Sequence, residues 1–166
     1  YFKEKKEMKF KFFWAKDFEK KYEEENFVKL IDFLRKHLTN YPDAHIYHYN
    51  TYEKRALREL ASLYSSNHPE EYNFVDNILR DEKLVDLFLI VNQSIRTSEK
   101  DMSLKTIETF YEFQRKSDIV KAEESVECYD HWTSTKDEKI KKKIISYNQE
   151  DCISTYKLRE FLIKNK

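Results

Sequence analysis

The sequence predicts an α/β fold in which a thin sheet is covered by helices. Three observations predict it. Two short aromatic-rich stretches in the first third alternate with the period of a strand. Several longer stretches repeat apolar residues every three or four positions, as helices do. Strand-like segments come early and helical ones dominate the remainder. No linker, repeat or low-complexity tract divides the chain, which is expected to be a single domain over residues 1–166.

In order, "KFKFFWA" sets Phe10, Phe12 and Trp14 against Lys9 and Lys11, a half-buried strand over roughly residues 8–14. Asp17 can then cap a long helix whose stripe is Phe27, Leu30, Ile31, Leu34 and Leu38. "NYPDA" is a turn, and "HIYHY" (45–49) is a second strand. A helix opens after Asn50 with Ala56, Leu57, Leu60 and Tyr64 inward. Pro69 stands near the start of the next, which carries Phe74, Val75, Ile78 and Leu79. "KLVDLFLIVNQSI" fits a strand turning into a helix, although its periodicity does not decide between the two. Ser103 caps "SLKTIETFYEF" without the Glu of a full capping box. "ESVECYDHW" is a short helix, and residues 137–164 form the long final one. A sheet of two or three strands is marginal under so many helices, so a strand is missing from it.

Composition removes several classes of function. The chain has no glycine, which excludes Gly-rich phosphate loops and dinucleotide fingerprints. Its 31 basic and 31 acidic residues deny a general basic excess for nucleic-acid binding but leave room for a local basic stripe. Cys128 and Cys152 have neither disulfide-framework nor metal-ligand spacing. No apolar run approaches the ~20 residues that span a bilayer, and the charged start is no signal peptide, so a soluble, cytoplasmic protein is the default expectation. The first residue is Tyr1 rather than Met, which suggests a piece of something longer.

Candidate chemistry begins in "IISYNQEDCIS". Tyr147 and Asp151 stand four residues apart, on one face of a helix, beside apolar positions. A metal-dependent phosphodiesterase uses such a pair, the carboxylate on a divalent cation and the phenol orienting the attacking water. The same spacing also suits an exposed Asp151 beside a half-buried tyrosine. Glu53 suits the first turn of its helix through the helix dipole, yet it shares a face with Ala56, Leu57 and Leu60, and a strand just before it could deliver it as a metal ligand. Asp86, inside an apolar run, needs a partner, a capping role or an exposed strand end. His45 and His48 read as edge or core histidines. Lys105 and Arg115 flank Phe110, Tyr111 and Phe113, a mixture that suits backbone contact and base stacking as well as plain packing. "KIKKKII" is a solvated helix face with Ile140, Ile144 and Ile145 turned inward.

Taken together, "YPDAHIYHYNTYEKRALRELA", "LVDLFLIVNQSI", "MSLKTIETFYEFQR", "ESVECYDHW" and "IISYNQEDCISTYKLREFL" resemble, in this order, the RNase H-like domain of predicted RecB-family nucleases. That domain belongs to the wider DEDD group of 3′–5′ exonucleases, and the resemblance runs from "FKFFWA" to "REFL". It implies an RNase H-like fold and a nuclease that hydrolyses DNA or RNA with two Mg²⁺ or Mn²⁺ ions. Asp151 takes the place of the last metal-ligand aspartate and Tyr147 that of the water-positioning tyrosine. Glu53 stands where the middle motif usually offers an aspartate, a departure, with Asn50 just ahead of it. Asn50, Lys105 and Arg115 would contact the nucleic acid. The group's first motif, an Asp-x-Glu on the first, central strand, has no counterpart before "KFKFFWA". The resemblance places it upstream, so the chain is expected to hold half of a two-metal site and to be inactive alone. A RecB-like nuclease domain in the same longer chain is an implied partner. The alternative is a catalytically incomplete module that binds nucleic acid or a partner nuclease domain, and a purely structural α/β domain is the third possibility.

Overall fold

The structure, a computed structural model, describes residues 2–4, 7–117 and 122–165. They form two compact units, one of Phe13–Thr97 and one of Tyr1–Phe12 with Ser98–Lys166.

The first unit opens with helix α1 (Lys20–Asn40). Its predicted stripe is the inner face: Phe27 and Ile31 are buried, with Leu30 and Leu34 packed beside them. The start differs from expectation. Glu19 is the N-cap residue, while the Asp17 carboxylate accepts a hydrogen bond from the neighbouring Phe18 N–H at 2.8 Å, a local turn ahead of the helix. Strand β3 (Ile46–His48) follows, then helices α2 (Tyr52–Leu63) and α3 (Pro69–Arg80), strand β4 (Leu84–Asp86) and helix α4 (Leu87–Ser94). β3 and β4 pair in parallel, Ile46 opposite Leu84 and His48 opposite Asp86, and α2 with α3 form the crossover that parallel pairing demands. Leu57, Ala61, Tyr64 and Val75 close the core against α1. The Tyr64 hydroxyl donates to Glu23 at 2.7 Å, pinning the end of α2 to α1.

Asp86 decides the ambiguous apolar run: strand to its N-terminal side, helix to its C-terminal side. Its Oδ1 accepts from Phe88 N–H at 2.9 Å, capping α4, and from Asn50 N–H at 2.9 Å, tying down the turn after β3. Asp86→Ala removes both acceptors and is expected to cost about 2 kcal/mol in urea unfolding. Asp86→Asn keeps an oxygen in place and should lose less than half of that. Equal losses in the two variants would show that the acceptor is not what matters.

The second unit contains the hairpin of β1 (Phe2–Glu4) and β2 (Glu7–Lys9), helix α5 (Leu104–Ile107), a 3₁₀ turn (Glu108–Tyr111), and helices α6 (Ala122–Thr135) and α7 (Glu138–Lys164). Of the strand expected over 8–14, the pairing reaches Lys9, which lies opposite Phe2. Beyond it the aromatic residues pack by their rings instead, Phe10 on Phe12 at 6.0 Å. α6 packs along α7, whose buried residues Ile144, Tyr147, Ser154 and Leu158 recur at helical spacing. Lys139, Lys142 and Lys143 face solvent, as the "KIKKKII" pattern predicts.

Among the described residues four take left-handed backbone angles: Asn50 (φ 71°), Glu82 (53°), Glu112 (52°) and Lys136 (54°). Each sits where one element gives way to the next. Among the described residues no helix is long and apolar enough to cross a membrane.

Candidate functional site: a guanidinium held by two carboxylates

α7 fixes the first side chains. Tyr147, Asp151 and Ser154 lie at steps of four and three residues, so they line one face. Tyr147 and Ser154 are buried, and the Asp151 side chain is 35% exposed. Ser103 supplies the other wall by capping α5, its Oγ accepting from Thr106 N–H at 3.3 Å. Where a capping box has Glu, Thr106 donates its hydroxyl to Asp101 at 2.7 Å. α5 then tightens into the 3₁₀ turn and reverses at left-handed Glu112. That reversal brings Arg115 back over Glu108, seven residues earlier.

Arg115 is the hub. Its Nε donates to both Glu108 oxygens, at 3.1 and 2.9 Å, and its Nη2 donates to Oε1 at 2.5 Å. Its Nη1 donates to Asp151 Oδ1 at 2.6 Å. The Arg115 side chain is 13% exposed and that of Glu108 7%. Ser154 Oγ donates to Glu108 Oε1 at 2.6 Å and lies 2.8 Å from the Tyr111 hydroxyl, so Glu108 is fixed from a second side. The Tyr147 ring carries the Lys105 ammonium 5.2 Å from its centre and the Arg115 guanidinium at 5.7 Å, both within cation–π range. Beside this cluster Glu150 accepts from the Lys116 and Ser117 N–H groups and the Ser117 hydroxyl.

Charge follows from this arrangement. Burial opposes the charged form of Arg115, but the hydrogen bonds to Glu108 and Asp151 outweigh it and raise the guanidinium above its ordinary value. Burial pushes the Asp151 carboxyl up from its ordinary 3.8. Arg115 and Lys105 pull it back and the Glu108 charge adds to the rise. Pairing alone would have lowered it, so burial wins. Burial works against Glu150 ionisation too, yet its hydrogen bonds from Ser117 and Lys116 prevail and its carboxyl lies below the ordinary value.

Four of the predicted residues thus meet in one unit: Tyr147, Asp151, Lys105 and Arg115. Asn50 and Glu53 belong to the other. Asn50 follows β3 with exposed surroundings, its own carboxamide oxygen accepting from Thr51 N–H at 2.8 Å. Glu53 lies in the first turn of α2, 52% exposed, with Oε2 3.8 Å from His48 Nδ1. His48 is buried; its Nδ1–H donates to the Asn50 carbonyl at 2.7 Å, while Nε2 has no hydrogen-bond partner among the described residues. Sequence inspection missed Glu108, Ser154 and Tyr111. Ser154 carried a signal, since it follows Asp151 by three residues on the same helix face.

Among the described residues no group of three or more His, Cys, Asp or Glu side chains converges to hold a metal ion. Glu108 and Asp151 share a single guanidinium, and the Asp151 oxygen nearest the cluster is already bonded. As they stand, these donors do not fit a divalent cation.

No curated protein and no solved structure matches the chain. A family model described as the RNase H superfamily matches residues 1–163, nearly its whole length. That match agrees with the helix-rich α/β architecture and its small parallel sheet, and it points to nuclease-like function and to nucleic acid as the partner. The chain belongs to the RNase H superfamily.

Proposed function

We propose that this chain is a domain of a metal-dependent nuclease of the 3′–5′ exonuclease type, acting on phosphodiester bonds of DNA or RNA. One observation carries it: in an RNase H superfamily chain, Tyr147 and Asp151 lie one helical turn apart with two cations, Lys105 and Arg115, on the tyrosine face. Nucleases of this superfamily usually use divalent metals, and Mg²⁺ or Mn²⁺ is the proposed cofactor. Asp151 and Glu53 are the proposed acidic ligands. Divalent ions held by such acids would supply positive charge to the phosphodiester under attack. The parts assigned to this chain are electrostatic and positional. Tyr147, buried on the inner face of α7, offers a phenol, and Lys105 adds positive charge for the phosphate path. Asn50 and Arg115 are the further proposed nucleic-acid contacts.

The test is digestion of end-labelled single strands by the full-length natural protein. We expect Mn²⁺-dependent shortening from the 3′ end, stopped by a chelator and lost in Asp151→Asn and in Glu53→Gln. Digestion at the wild-type rate by Asp151→Asn would sink the site assignment. The pairing of Asp151 with Arg115 favours a second possibility, a non-catalytic module that binds nucleic acid or a neighbouring nuclease domain. Strand binding without cleavage by the full-length natural protein would select it.

A further inference from the structure

The chain is neutral as a whole, but its charge is not evenly spread. Residues 136–143, "KDEKIKKK", hold five lysines and two acids. Both acids are engaged. Asp137 caps α7, accepting from Lys139 N–H at 2.8 Å, and Glu138 lies 3.8 Å from the Lys141 ammonium. Lys136 is set over the Trp132 ring, 4.6 Å from its centre. The other three lysines, Lys139, Lys142 and Lys143, are exposed, while Ile144 is buried behind them. The function proposed above uses none of the five.

Their place on α7 gives them a direction. Lys139, Lys143, Tyr147 and Asp151 follow one another at steps of four residues, which makes them one ridge of the helix, with Lys142 beside it. A ridge of this kind winds slowly round the axis, and here it runs from solvent inward. Two exposed lysines are followed by buried Tyr147 and then by half-buried Asp151. From Lys139 to Asp151 it is about 18 Å long. Positive charge continues at its inner end, where Lys105 lies 5.2 Å from the centre of the Tyr147 ring. Glu150, the acid next to the ridge, is turned onto the Lys116 and Ser117 N–H groups and the Ser117 hydroxyl.

A lysine ammonium is a hydrated point charge on a flexible stem, suited to phosphate oxygens whatever base they carry. A row one residue wide can follow one extended backbone, whereas a strand of a duplex curves away from a straight helix. We propose that the lysine ridge of α7 is a track for the phosphate backbone of a single-stranded nucleic acid, leading it to Tyr147 and Asp151 irrespective of sequence. This rests on the nuclease reading of Tyr147 and Asp151 given above.

The test is binding of labelled oligo-dT and oligo-dA to the full-length natural protein, with a chelator present so that no strand is cut. Lys139→Ala/Lys142→Ala/Lys143→Ala should weaken both about tenfold, and the slope of log affinity against log salt should fall by about 2, at ~0.7 per lost phosphate contact. Arginine at the same three positions should restore both quantities. Alanine favours helix, so α7 should persist, and circular dichroism checks it. Lys20→Ala/Lys29→Ala/Lys36→Ala removes the same charge from exposed positions of α1 and should leave the slope unchanged. An equal loss there would reduce the effect to net charge and overturn the track. An unaltered slope in the α7 variant would overturn it too, as would a duplex or polyglutamate competing as well as the single strand does. If the α7 variant binds and digests strands as wild type does while Asp151→Asn stops digestion, the track falls and the nuclease reading stands. If wild type neither binds nor digests strands, both fall.

Discussion

Arg115→Ala is expected to lower the unfolding free energy by about 3–5 kcal/mol near neutral pH. The residue is nearly enclosed, and its removal takes away the guanidinium that Glu108 and Asp151 share, leaving Asp151 the lesser attraction of Lys105. Glu108 is the worse placed of the two: among the described residues its side chain keeps the Ser154 hydroxyl as a donor. Protonation is the escape. Asp151 already holds its proton more tightly in the folded chain than at its ordinary 3.8. A carboxyl raised in this way favours folding while protonated, below the unfolded value, and that contribution disappears as pH rises through the folded value. Without the guanidinium, the folded value of Asp151 climbs further. The deficit of Arg115→Ala should therefore be greatest near neutrality and shrink as pH falls toward about 4. Urea unfolding of both proteins across that range measures it. A deficit below about 1 kcal/mol, or one independent of pH, would mean that the acids find other partners.

Ile31→Ala should cost about 4 kcal/mol, within the range for deleting a branched side chain from a rigid core. Ile31 is 0% exposed in the middle of α1, among Phe27, Leu57, Ala61, Tyr64 and Val75. The Phe27 and Tyr64 rings, 5.9 Å apart, and the Tyr64–Glu23 hydrogen bond hold that cage open, so it cannot collapse into the space left behind. Ile31→Val, which removes one methylene, should cost about 1 kcal/mol. Comparable losses for the two substitutions in chemical unfolding would show that the cage relaxes.

Much of the fold could be read from local pattern. The stripe of α1, the starts of α2 and α3, the Ser103 cap and the length of α7 all follow from periodicity and capping, which act within a few residues. Asp86 was legible as a carboxylate in need of work, and it performs two capping tasks. Strand extent was not legible. Phe10, Phe12 and Trp14 alternate as a strand does, but pairing length depends on a partner that alternation does not reveal, and the described pairing reaches Lys9. At the site, the common face of Tyr147 and Asp151 was visible from spacing alone. The Arg115–Asp151 pair was not, since 36 residues separate the two and no period links them. Glu108 was hidden for a different reason. It sits in a 3₁₀ turn, where the helical face is lost, and its burial depends on Arg115 folding back. Glu53 shares a helix face with apolar residues, yet at the first turn that face is still open to solvent.

The left-handed turns bear on the unfolded chain as much as on the folded one. With no glycine in 166 residues, the denatured ensemble lacks its most permissive links and has less conformational freedom to surrender on folding. Against that advantage stand Asn50, Glu82, Glu112 and Lys136, each holding a backbone shape that a side chain disfavours by roughly 1 kcal/mol. Part of this protein's stability thus lies in a narrow starting ensemble rather than in any native contact. The sharp reversal at Glu112, which carries Arg115 back to Glu108, is one of the places where the folded state bears the opposing strain.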